Sequence, residues 1–420
     1  MKISRYQGDI AVLAYSGGLD TSVAINWIKE KYSVEVATVV VDVGQEEDLK
    51  EAADRALDNG AVRSFLVDSK EEFANTYIAE AIKSNAMYEG RYPLSTALAR
   101  PLIAQKLASI ATKLGAKYVA HGCTGKGNDQ VRFELAFKAL NPELRVIAPI
   151  REWNMNRDDE IAYAAARGIK LRKSQPSRYS TDENLWGRSI EGSDLEDASV
   201  EPPEDIYQWT SHMDRWPDKP EYVTVDFEGG LPVSLNGKPM KLSELVAELN
   251  AIAGKHGVGR IDHLEDRFVG IKSRENYECP SAVLLVQAHR ALEGLVLSKE
   301  MLQFKSTVEN KFSELVYNGF WFSDLMESLR TFTASTQAEV TGQVRVRLFK
   351  GSSTVCGLKS EHSRYRTALS TYSRGDIFDQ RASEGFIYIV GLPVAGSALG
   401  EFGTSDVQER VVERKIQKAA

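Results

Sequence analysis

Short apolar runs rich in β-branched residues alternate with helical patterns through the first part of the chain, as far as Ala166. Five runs are predicted to be strands: Ile10 to Tyr15, Val34 to Val41, Ser64 to Val67, Lys117 to Ala120 and Arg145 to Ala148. Between them, apolar residues recur with a period near 3.6 in four segments: Val23 to Trp27, Leu49 to Leu57, Leu102 to Leu114 and Ile161 to Ala166. Strands joined by crossover helices pair in parallel. The alternation therefore predicts an α/β fold with a doubly wound parallel sheet.

The chain has 420 residues, which is more than one hydrophobic core usually holds. A first domain is expected over residues 1–173, because a polar stretch without regular period follows it as far as Glu204. A second, α+β domain is expected over 174–400, and a helical tail over 401–420. The charged amphipathic pattern of Val407 to Ala420 predicts a helix that packs on another subunit.

In the second domain, Asn236-Gly237 predicts a hairpin turn because both turn positions require positive φ. The remaining patterns predict strands at Tyr222 to Phe227, Pro232 to Leu235, Val344 to Phe349 and Thr354 to Leu358, and helices at Leu242 to Ile252, Ala282 to Leu297 and Trp321 to Phe332.

The composition excludes some functional classes. A hydrophobic fraction of 43% rules out disorder, and a net charge of −7 argues against nucleic-acid or membrane partners. Cys123, Cys279 and Cys356 are far apart in sequence and form no Cys-x-x-Cys pair, which indicates neither a disulfide framework nor a zinc site. With a polar N-terminus and no apolar run near the length of a membrane span, the sequence predicts a cytoplasmic protein without a targeting segment.

The loop after the first predicted strand has the composition of a phosphate site. Ser16-Gly17-Gly18-Leu19-Asp20-Thr21-Ser22 joins a strand to a helix, and its two glycines allow backbone N–H groups to turn inward. Its hydroxyl groups lie beside a helix N-terminus, where the macrodipole favours an anion. The chain contains no Walker lysine motif. The alternative is a plain turn with Asp20 or Thr21 as helix N-cap.

A second glycine-rich segment, His121 to Glu134, follows the strand that ends at Ala120. It reads His-Gly-Cys-Thr-Gly-Lys-Gly-Asn-Asp-Gln-Val-Arg-Phe-Glu and lies at the carboxyl edge of the predicted sheet, where such sheets bind ligands. Its Thr, Asn, Asp and Arg side chains offer donors and a carboxylate to a zwitterionic substrate. The alternative is a solvated surface loop.

The first loop resembles the signature of the ATP pyrophosphatases, which adenylate a substrate oxygen, and His121 to Glu134 resembles the signature of the argininosuccinate synthase family. The resemblance continues through six further segments: Tyr88 to Tyr92, Ala99 to Pro101, Glu183 to Leu185, Val258 to Asp262, Lys272 to Arg274 and Glu314 to Tyr317. It implies ATP-dependent condensation of citrulline with aspartate in arginine biosynthesis, which yields argininosuccinate, AMP and pyrophosphate. It also implies Mg²⁺, held mainly through the ATP phosphates, and a homotetramer.

The resemblance also implies roles for individual residues, with Asp20 and Asp129 as the catalytic pair. The implied ATP contacts are Ala14, Tyr15, Ser16, Gly17, Gly18, Leu19, Asp20, Thr21, Ser22, Val41 and Gly122. The implied aspartate contacts are Thr124, Asn128 and Asp129. The implied citrulline contacts are Tyr92, Asn128, Arg132, Ser180, Ser189, Glu265 and Tyr277.

Three positions depart from the family pattern: Val41 and Cys123 replace a usual Ala, and Ala97 replaces a Ser that contacts citrulline in many members. His121 is either a general base or a structural histidine, and the sequence leaves both open. A tRNA thiolase is disfavoured, because the chain has neither paired cysteines nor a basic surface. A glutamine-dependent synthetase is disfavoured as well, because no ammonia-producing domain is recognised. The acceptor pattern at His121 to Glu134 argues against a nucleotide sensor, because a sensor would not need it.

Overall fold

A computed structural model describes residues 5–172 and 178–394. The chain divides into two compact units, one ending at Arg364 and one beginning at Tyr365. The segment expected to join the first two domains, 173–177, and the tail from Val407 to Ala420 both lie outside the described residues.

The first unit begins with a five-stranded parallel sheet of order β3-β2-β1-β4-β5. Its strands are β1 (Ile10–Ala14), β2 (Glu35–Asp42), β3 (Arg63–Asp68), β4 (Tyr118–Ala120) and β5 (Arg145–Ile147). Val12 of the central strand is in register with Ala37 on one side and Val119 on the other. The predicted parallel α/β sheet is therefore confirmed.

Helices connect these strands and continue beyond the last of them: α1 (Leu19–Tyr32), α2 (Leu49–Asp58), α3 (Lys70–Glu72), a π-helical turn (Phe73–Ile78), α4 (Ala79–Lys83), α5 (Ser95–Leu114), α6 (Asp129–Leu140), α7 (Pro149–Glu152) and α8 (Arg157–Arg167). Alternate residues of β1 enter different cores, because neighbouring side chains of a strand point to opposite faces. Ile10 and Val12 join one buried cluster, while Ala11 and Leu13 join the other. The sheet is thus covered on both faces.

The strand order reverses direction between β1 and β4. From β1 the chain moves outward to β2 and β3, and it then returns to add β4 and β5 on the other side. Loops that leave two such neighbouring strands diverge and open a crevice at the carboxyl edge. One glycine-rich loop follows β1, and the other follows β4.

Two antiparallel sheets complete the first unit. One has the order β10-β9-β8-β13-β14, and the other has the order β11-β12-β7-β6. Their strands are β6 (Ser180–Asn184), β7 (Gly187–Glu191), β8 (Glu221–Glu228), β9 (Leu231–Leu235), β10 (Lys238–Pro239), β11 (Arg260–Asp266), β12 (Lys272–Glu278), β13 (Gly342–Phe349) and β14 (Ser352–Lys359). The predicted turn is confirmed, with φ values of 53° at Asn236 and 78° at Gly237.

Longer helices pack with these sheets: α9 (Leu242–Lys255), α10 (Pro280–Val296), α11 (Lys299–Tyr317) and α12 (Asp324–Thr336). Short 3₁₀ helices cover Ser193–Glu196, Glu204–Ile206 and Met213–Arg215. In the second unit, the structure describes helices α13 (Thr367–Ser370) and α14 (Ala382–Gly391). Within the described ranges, no helix is long and apolar enough to span a membrane.

One part of the sequence interpretation was wrong. The polar stretch after residue 177, expected to lack regular structure, contains the β6–β7 hairpin, and the β11–β12 hairpin was also missed. The reason is burial of polar groups: Glu275, Asn276 and Glu278 are almost fully buried on β12, so this strand lacks the apolar alternation that marks a sheet. Helix α5 also begins earlier than expected and contains Pro101 in its interior.

Candidate active site

The loop after β1 leaves a helix N-terminus open to an anion. Ala14 ends the strand, Gly18 is the N-cap of α1, and no side chain caps the first turn. The early N–H groups of a helix have no intrahelical partner, so they remain available to a phosphate. The alternative with Asp20 or Thr21 as N-cap is wrong, because α1 begins already at Leu19.

Hydrogen bonds between side chains shape this loop. The hydroxyl groups of Tyr15 and Ser22 are 2.9 Å apart, and both residues are buried. The hydroxyl groups of Ser16 and Thr21 are 3.2 Å apart, and Ser16 is exposed. Ser22 therefore anchors the loop from inside, while the Ser16 side chain is exposed to solvent.

Asp20 has a partner that the sequence analysis missed. The Glu160 carboxyl group, on α8, is hydrogen-bonded to Asp20. Glu160 is only 6% exposed, and its Oε2 atom is buried without a hydrogen-bond partner. Burial, together with the hydrogen bond and charge of Asp20, raises the pKa of Glu160 to about 8. Two carboxyl groups therefore share one place at the helix N-terminus, and one of them holds a proton at neutral pH.

The second glycine-rich loop meets the first at the point where the strand order reverses. A Cβ atom on Gly122 would lie 2.8 Å from Cγ2 of Thr21. Only glycine permits this approach, so the two loops form adjoining walls of one crevice. The predicted ATP contacts at 14–22 and 122 are thereby brought together. Val41, the remaining predicted ATP contact, lies buried near the end of β2. Its carbonyl oxygen accepts a hydrogen bond from the Gln45 side chain at 2.9 Å.

His121 is fully buried, and both of its ring nitrogens are engaged. Nδ1 accepts from the backbone N–H of Cys123 at 3.3 Å, which leaves Nε2 to donate to Glu134, also at 3.3 Å. This arrangement favours the structural interpretation of His121 over a general base. Burial raises the pKa of the Cys123 thiol, in keeping with a small apolar side chain at that position.

Asp129, the first residue of α6, lies in a partly buried network of charges. Arg100 donates to Asp129 Oδ2 at 2.9 and 2.7 Å, and Arg132 donates to Oδ1 at 2.8 Å. Burial would raise the pKa of Asp129, but the two guanidinium groups outweigh it and lower that pKa to about 2. Arg100 also donates to Asp182 of β6. Asp129 is therefore ionised at neutral pH and linked through Arg100 to the antiparallel sheet.

The remaining predicted aspartate contacts flank Asp129. Asn128 is the buried N-cap residue of α6, and its Oδ1 atom accepts from the backbone N–H of Phe268 at 2.9 Å. The amide NH₂ of Asn128 then remains as the donor toward a ligand. Thr124 is exposed in the same loop.

Several predicted citrulline contacts belong to a buried cluster of tyrosine side chains around Glu265, which we call the aromatic pocket. Tyr92 and Tyr277 stack with ring centroids 4.1 Å apart, and Tyr277 donates to Glu265 at 2.8 Å. Tyr317, which the sequence analysis did not select, donates to the other Glu265 oxygen at 2.5 Å. Burial raises the pKa of Glu265, and the two hydroxyl groups oppose that rise. Arg132 joins this pocket to Asp129, since its Nε atom donates to the Tyr317 carbonyl oxygen at 2.8 Å.

The predicted serines lie at the antiparallel sheet beside this pocket. Ser189 is on β7 and donates to the Asp182 carbonyl oxygen at 3.3 Å. Ser180 begins β6 and is exposed, farther along the same hairpin. Ala97, the departure from the family serine, is buried in α5 and provides no hydroxyl group.

Comparisons with known proteins point to one family. The family model described as the arginosuccinate synthase N-terminal HUP domain matches residues 10–170, and the C-terminal domain model of the same family matches 179–396. The argininosuccinate synthase of Pyrococcus furiosus is 53% identical over 401 residues, which cover 95% of this chain and 97% of that protein. That of Geobacillus sp. is 54% identical over 382 residues, which cover 91% of this chain and 95% of that protein.

The chain belongs to the argininosuccinate synthase family. The match includes both the parallel sheet and the antiparallel sheets, and it therefore spans the two loops and the aromatic pocket. Among solved structures, the U34-tRNA thiolase NcsA from Methanococcus maripaludis matches 42% of this chain at 16% identity, with a TM-score of 0.28. That likeness is too low to inform the fold or the function.

Four residues that contact the predicted site residues were not predicted themselves: Arg100, Glu160, Asp182 and Tyr317. Arg100 lies in Ala99 to Pro101, one of the segments that carry the family resemblance. That position could have indicated a role for Arg100. Glu160 and Asp182 meet Asp20 and Arg100 only through the tertiary fold, and no local pattern marks them. Arg132, by contrast, was predicted and lies between both halves of the site.

Proposed function

We propose that the chain ligates citrulline and aspartate to argininosuccinate in arginine biosynthesis, with ATP converted to AMP and pyrophosphate through a citrullyl-adenylate. Membership of the argininosuccinate synthase family supports the reaction. The observation that carries the proposal is the close contact between Gly122 and Thr21, because it joins an anion-binding helix N-terminus to the loop of Asp129. An activated acceptor and an incoming amine could then occupy one crevice.

The chemistry explains why ATP is needed. The ureido carbon of citrulline is a weak electrophile, and its oxygen is a very poor leaving group. Adenylation forms a bond from that oxygen to the α-phosphorus and releases pyrophosphate. The amine of aspartate then attacks the ureido carbon, loses a proton and expels AMP. Both steps depend mainly on positioning and on stabilising charge on the phosphates.

The loop from Ser16 to Ser22 is proposed to hold the β- and γ-phosphates. The uncapped first turn of α1 supplies backbone donors, and Gly17 and Gly18 allow close approach. Exposed Ser16 adds a hydroxyl group at the mouth of the loop. These groups stabilise the negative charge that grows on pyrophosphate as it leaves.

The residues present also fit Mg²⁺. Asp20 and Glu160 place carboxyl oxygens of the kind this ion prefers at one site, and Glu160 would release its proton on binding the ion, which leaves its otherwise unpartnered Oε2 as a ligand. Mg²⁺ usually takes a few carboxylates and completes its shell with phosphates and water. When bound, it would neutralise phosphate charge during adenylation. Within the described residues, no group of three or more His, Cys, Asp or Glu side chains forms a separate metal site.

Asp129 is proposed to pair with the aspartate ammonium group. Its low pKa keeps it charged, and Arg100 and Arg132 fix the orientation of the carboxylate. Thr124 and the amide NH₂ of Asn128 are then available to donate to the substrate carboxylates. This arrangement would aim the amine toward the crevice between the loops.

Citrulline is proposed to occupy the aromatic pocket. Buried Glu265, held by Tyr277 and Tyr317, is suited to bind the citrulline ammonium group, because a positive charge would offset the cost of its burial. Tyr92, Arg132, Ser189 and Ser180 are the further proposed contacts. Ala97 removes one hydroxyl group from this set.

The function is tested by product analysis of the purified protein with ATP, Mg²⁺, citrulline and aspartate. We expect argininosuccinate, AMP and pyrophosphate in equal amounts, with none formed when citrulline is omitted. Formation of ADP and phosphate, or nucleotide binding without product, would contradict the proposal. The second outcome would indicate a sensor.

We further propose a homotetramer and the domain division 1–173, 174–400 and 401–420. The two family matches, 10–170 and 179–396, support the first boundary. Light scattering of the full chain and of a chain ending at residue 400 would test the role of the tail. We expect loss of the tetramer on truncation.

A further inference from the structure

A buried arginine lies directly behind the loop of Ser16 to Ser22. Arg55 belongs to α2 and is 9% exposed. Its Nη2 atom lies 2.8 Å from the position that a Cβ atom on Gly17 would occupy. Gly17 also has a φ of +77°, so any side chain there would both strain the backbone and collide with the guanidinium group. The loop and Arg55 therefore fit together as one unit.

The protein satisfies only part of this guanidinium group. Nη1 donates to Glu51 at 2.8 Å, but the Glu51 side chain is 62% exposed. The Nε atom of Arg55 is buried without a hydrogen-bond partner. A buried cation whose single counter-ion is solvated, and which keeps a spare donor, is ready for a second anion. The open helix N-terminus at Gly18 is the adjacent place where an anion would bind.

The sequence of the loop itself supplies no positive charge. Ser16 to Ser22 contains no lysine or arginine, whereas Walker-type loops carry a lysine for the β- and γ-phosphates. Pyrophosphate that leaves the α-phosphorus carries more negative charge than the same phosphates in ATP. A cation beside Gly17 would therefore stabilise the leaving group as it forms.

We infer that Arg55 is a pyrophosphate-binding residue, which reaches the β- and γ-phosphates of the nucleotide across Gly17. The inference rests on the proposed function, since it assigns Arg55 to the leaving group of that reaction. The competing interpretation is that Arg55 only packs the loop and pairs with Glu51. The two interpretations differ in ligand affinity: a phosphate contact affects pyrophosphate selectively, whereas a packing role affects every ligand of the crevice.

The experiment is calorimetric titration of the full-length protein with inorganic pyrophosphate and, separately, with AMP. Arg55→Gln removes the charge, and Arg55→Lys keeps the charge but loses the planar guanidinium fork. We expect Arg55→Gln to weaken pyrophosphate binding about 10- to 100-fold and to leave AMP binding within about twofold, since AMP lacks the β- and γ-phosphates. For Arg55→Lys we expect a smaller loss, about three- to tenfold.

Glu51→Gln is the matched control, because it breaks the ion pair and leaves Arg55 in place. We expect pyrophosphate binding within about twofold of the unaltered protein. If circular dichroism shows that Arg55→Gln does not fold, the affinities of Arg55→Lys for pyrophosphate and AMP are compared instead. Pyrophosphate affinity unchanged in the folded variants, or equal losses for pyrophosphate and AMP, would overturn the inference. Product analysis of the unaltered protein separates this failure from failure of the proposed function.

Discussion

Replacing Glu160 by Gln should stabilise the ligand-free protein at alkaline pH. The Glu160 carboxyl group is 6% exposed and hydrogen-bonded to Asp20, and its pKa is raised from 4.5 to about 8. A raised pKa in the folded state means that folding takes up a proton between these two values. The stability from this group is complete below about pH 4.5 and is lost as pH rises through about 8. Gln cannot ionise, so the variant avoids that loss.

The size of the effect follows from the pKa difference. Each pKa unit corresponds to about 1.4 kcal/mol, so the full shift of Glu160 would give an upper limit of about 5 kcal/mol. Asp20 is part exposed, so solvent screens part of its interaction with Glu160, and the expected gain falls to about 2 kcal/mol. At pH 5 the stability difference should be below about 1 kcal/mol, because this pH is only half a unit above the unfolded-state pKa of 4.5 and the loss has only begun.

The assay is urea unfolding of both proteins between pH 5 and pH 9, in the presence of a chelator. The free-energy difference should grow in favour of Glu160→Gln from pH 5 to about pH 8 and then level off. Asp158→Asn, at an exposed position of the same helix, controls for the loss of a negative charge. A difference that is constant with pH, or a variant that is less stable at pH 9, would refute the reasoning. With ATP present, the same variant should need more Mg²⁺ for half-maximal activity.

Three further predictions concern the crevice. Gly122→Ala should lower turnover at least about tenfold, because its Cβ would lie 2.8 Å from Thr21; normal turnover would show that the two loops need not touch. Asp129→Asn should raise the KM for aspartate about tenfold or more, with little change in the KM for citrulline. The assay is steady-state kinetics with each substrate varied in turn, and a raised KM for citrulline with an unchanged KM for aspartate would show that the assignment is wrong. Tyr317→Phe should raise the KM for citrulline about three- to tenfold through loss of its hydrogen bond to Glu265, and an unchanged KM would remove Tyr317 from the pocket.

The parallel half of the fold could be predicted from sequence because its signals are local. The runs at Ile10 and Val34 are apolar and β-branched, and each is followed by a helical pattern. The Gly17-Gly18 turn then occurs directly after a strand, which fixes its place at the sheet edge. Strand, turn and helix together contain enough information to place the loop of Ser16 to Ser22 at the sheet edge.

The antiparallel half of the site could not be predicted in the same way. On β12 the buried residues include Asn276 and Glu278, and their burial is made possible by partners distant in sequence: Tyr207 donates to Asn276, and Thr210 donates to Glu278. A strand with polar residues on its buried face has no hydrophobic period. The predicted residues Glu265 and Tyr277 lie on such strands and were found only through the family resemblance.

Arg55 and Glu160 illustrate a different limit. Both are charged residues on helices, where a charge ordinarily marks the solvent-facing side. Each is instead buried against the loop of Ser16 to Ser22, through contacts that the strand order creates. Sequence periodicity describes one element at a time, so it cannot indicate that a helix end will lie over a loop from another part of the chain.

The most direct test of the proposed reaction uses citrulline labelled with ¹⁸O in its ureido group. The purified protein is incubated with ATP, Mg²⁺, aspartate and the labelled citrulline, and the AMP formed is analysed by mass spectrometry. If the ureido oxygen attacks the α-phosphorus, each AMP carries one ¹⁸O atom and the pyrophosphate carries none. AMP without label, or label in pyrophosphate, would contradict adenylation of citrulline in the crevice between the two loops.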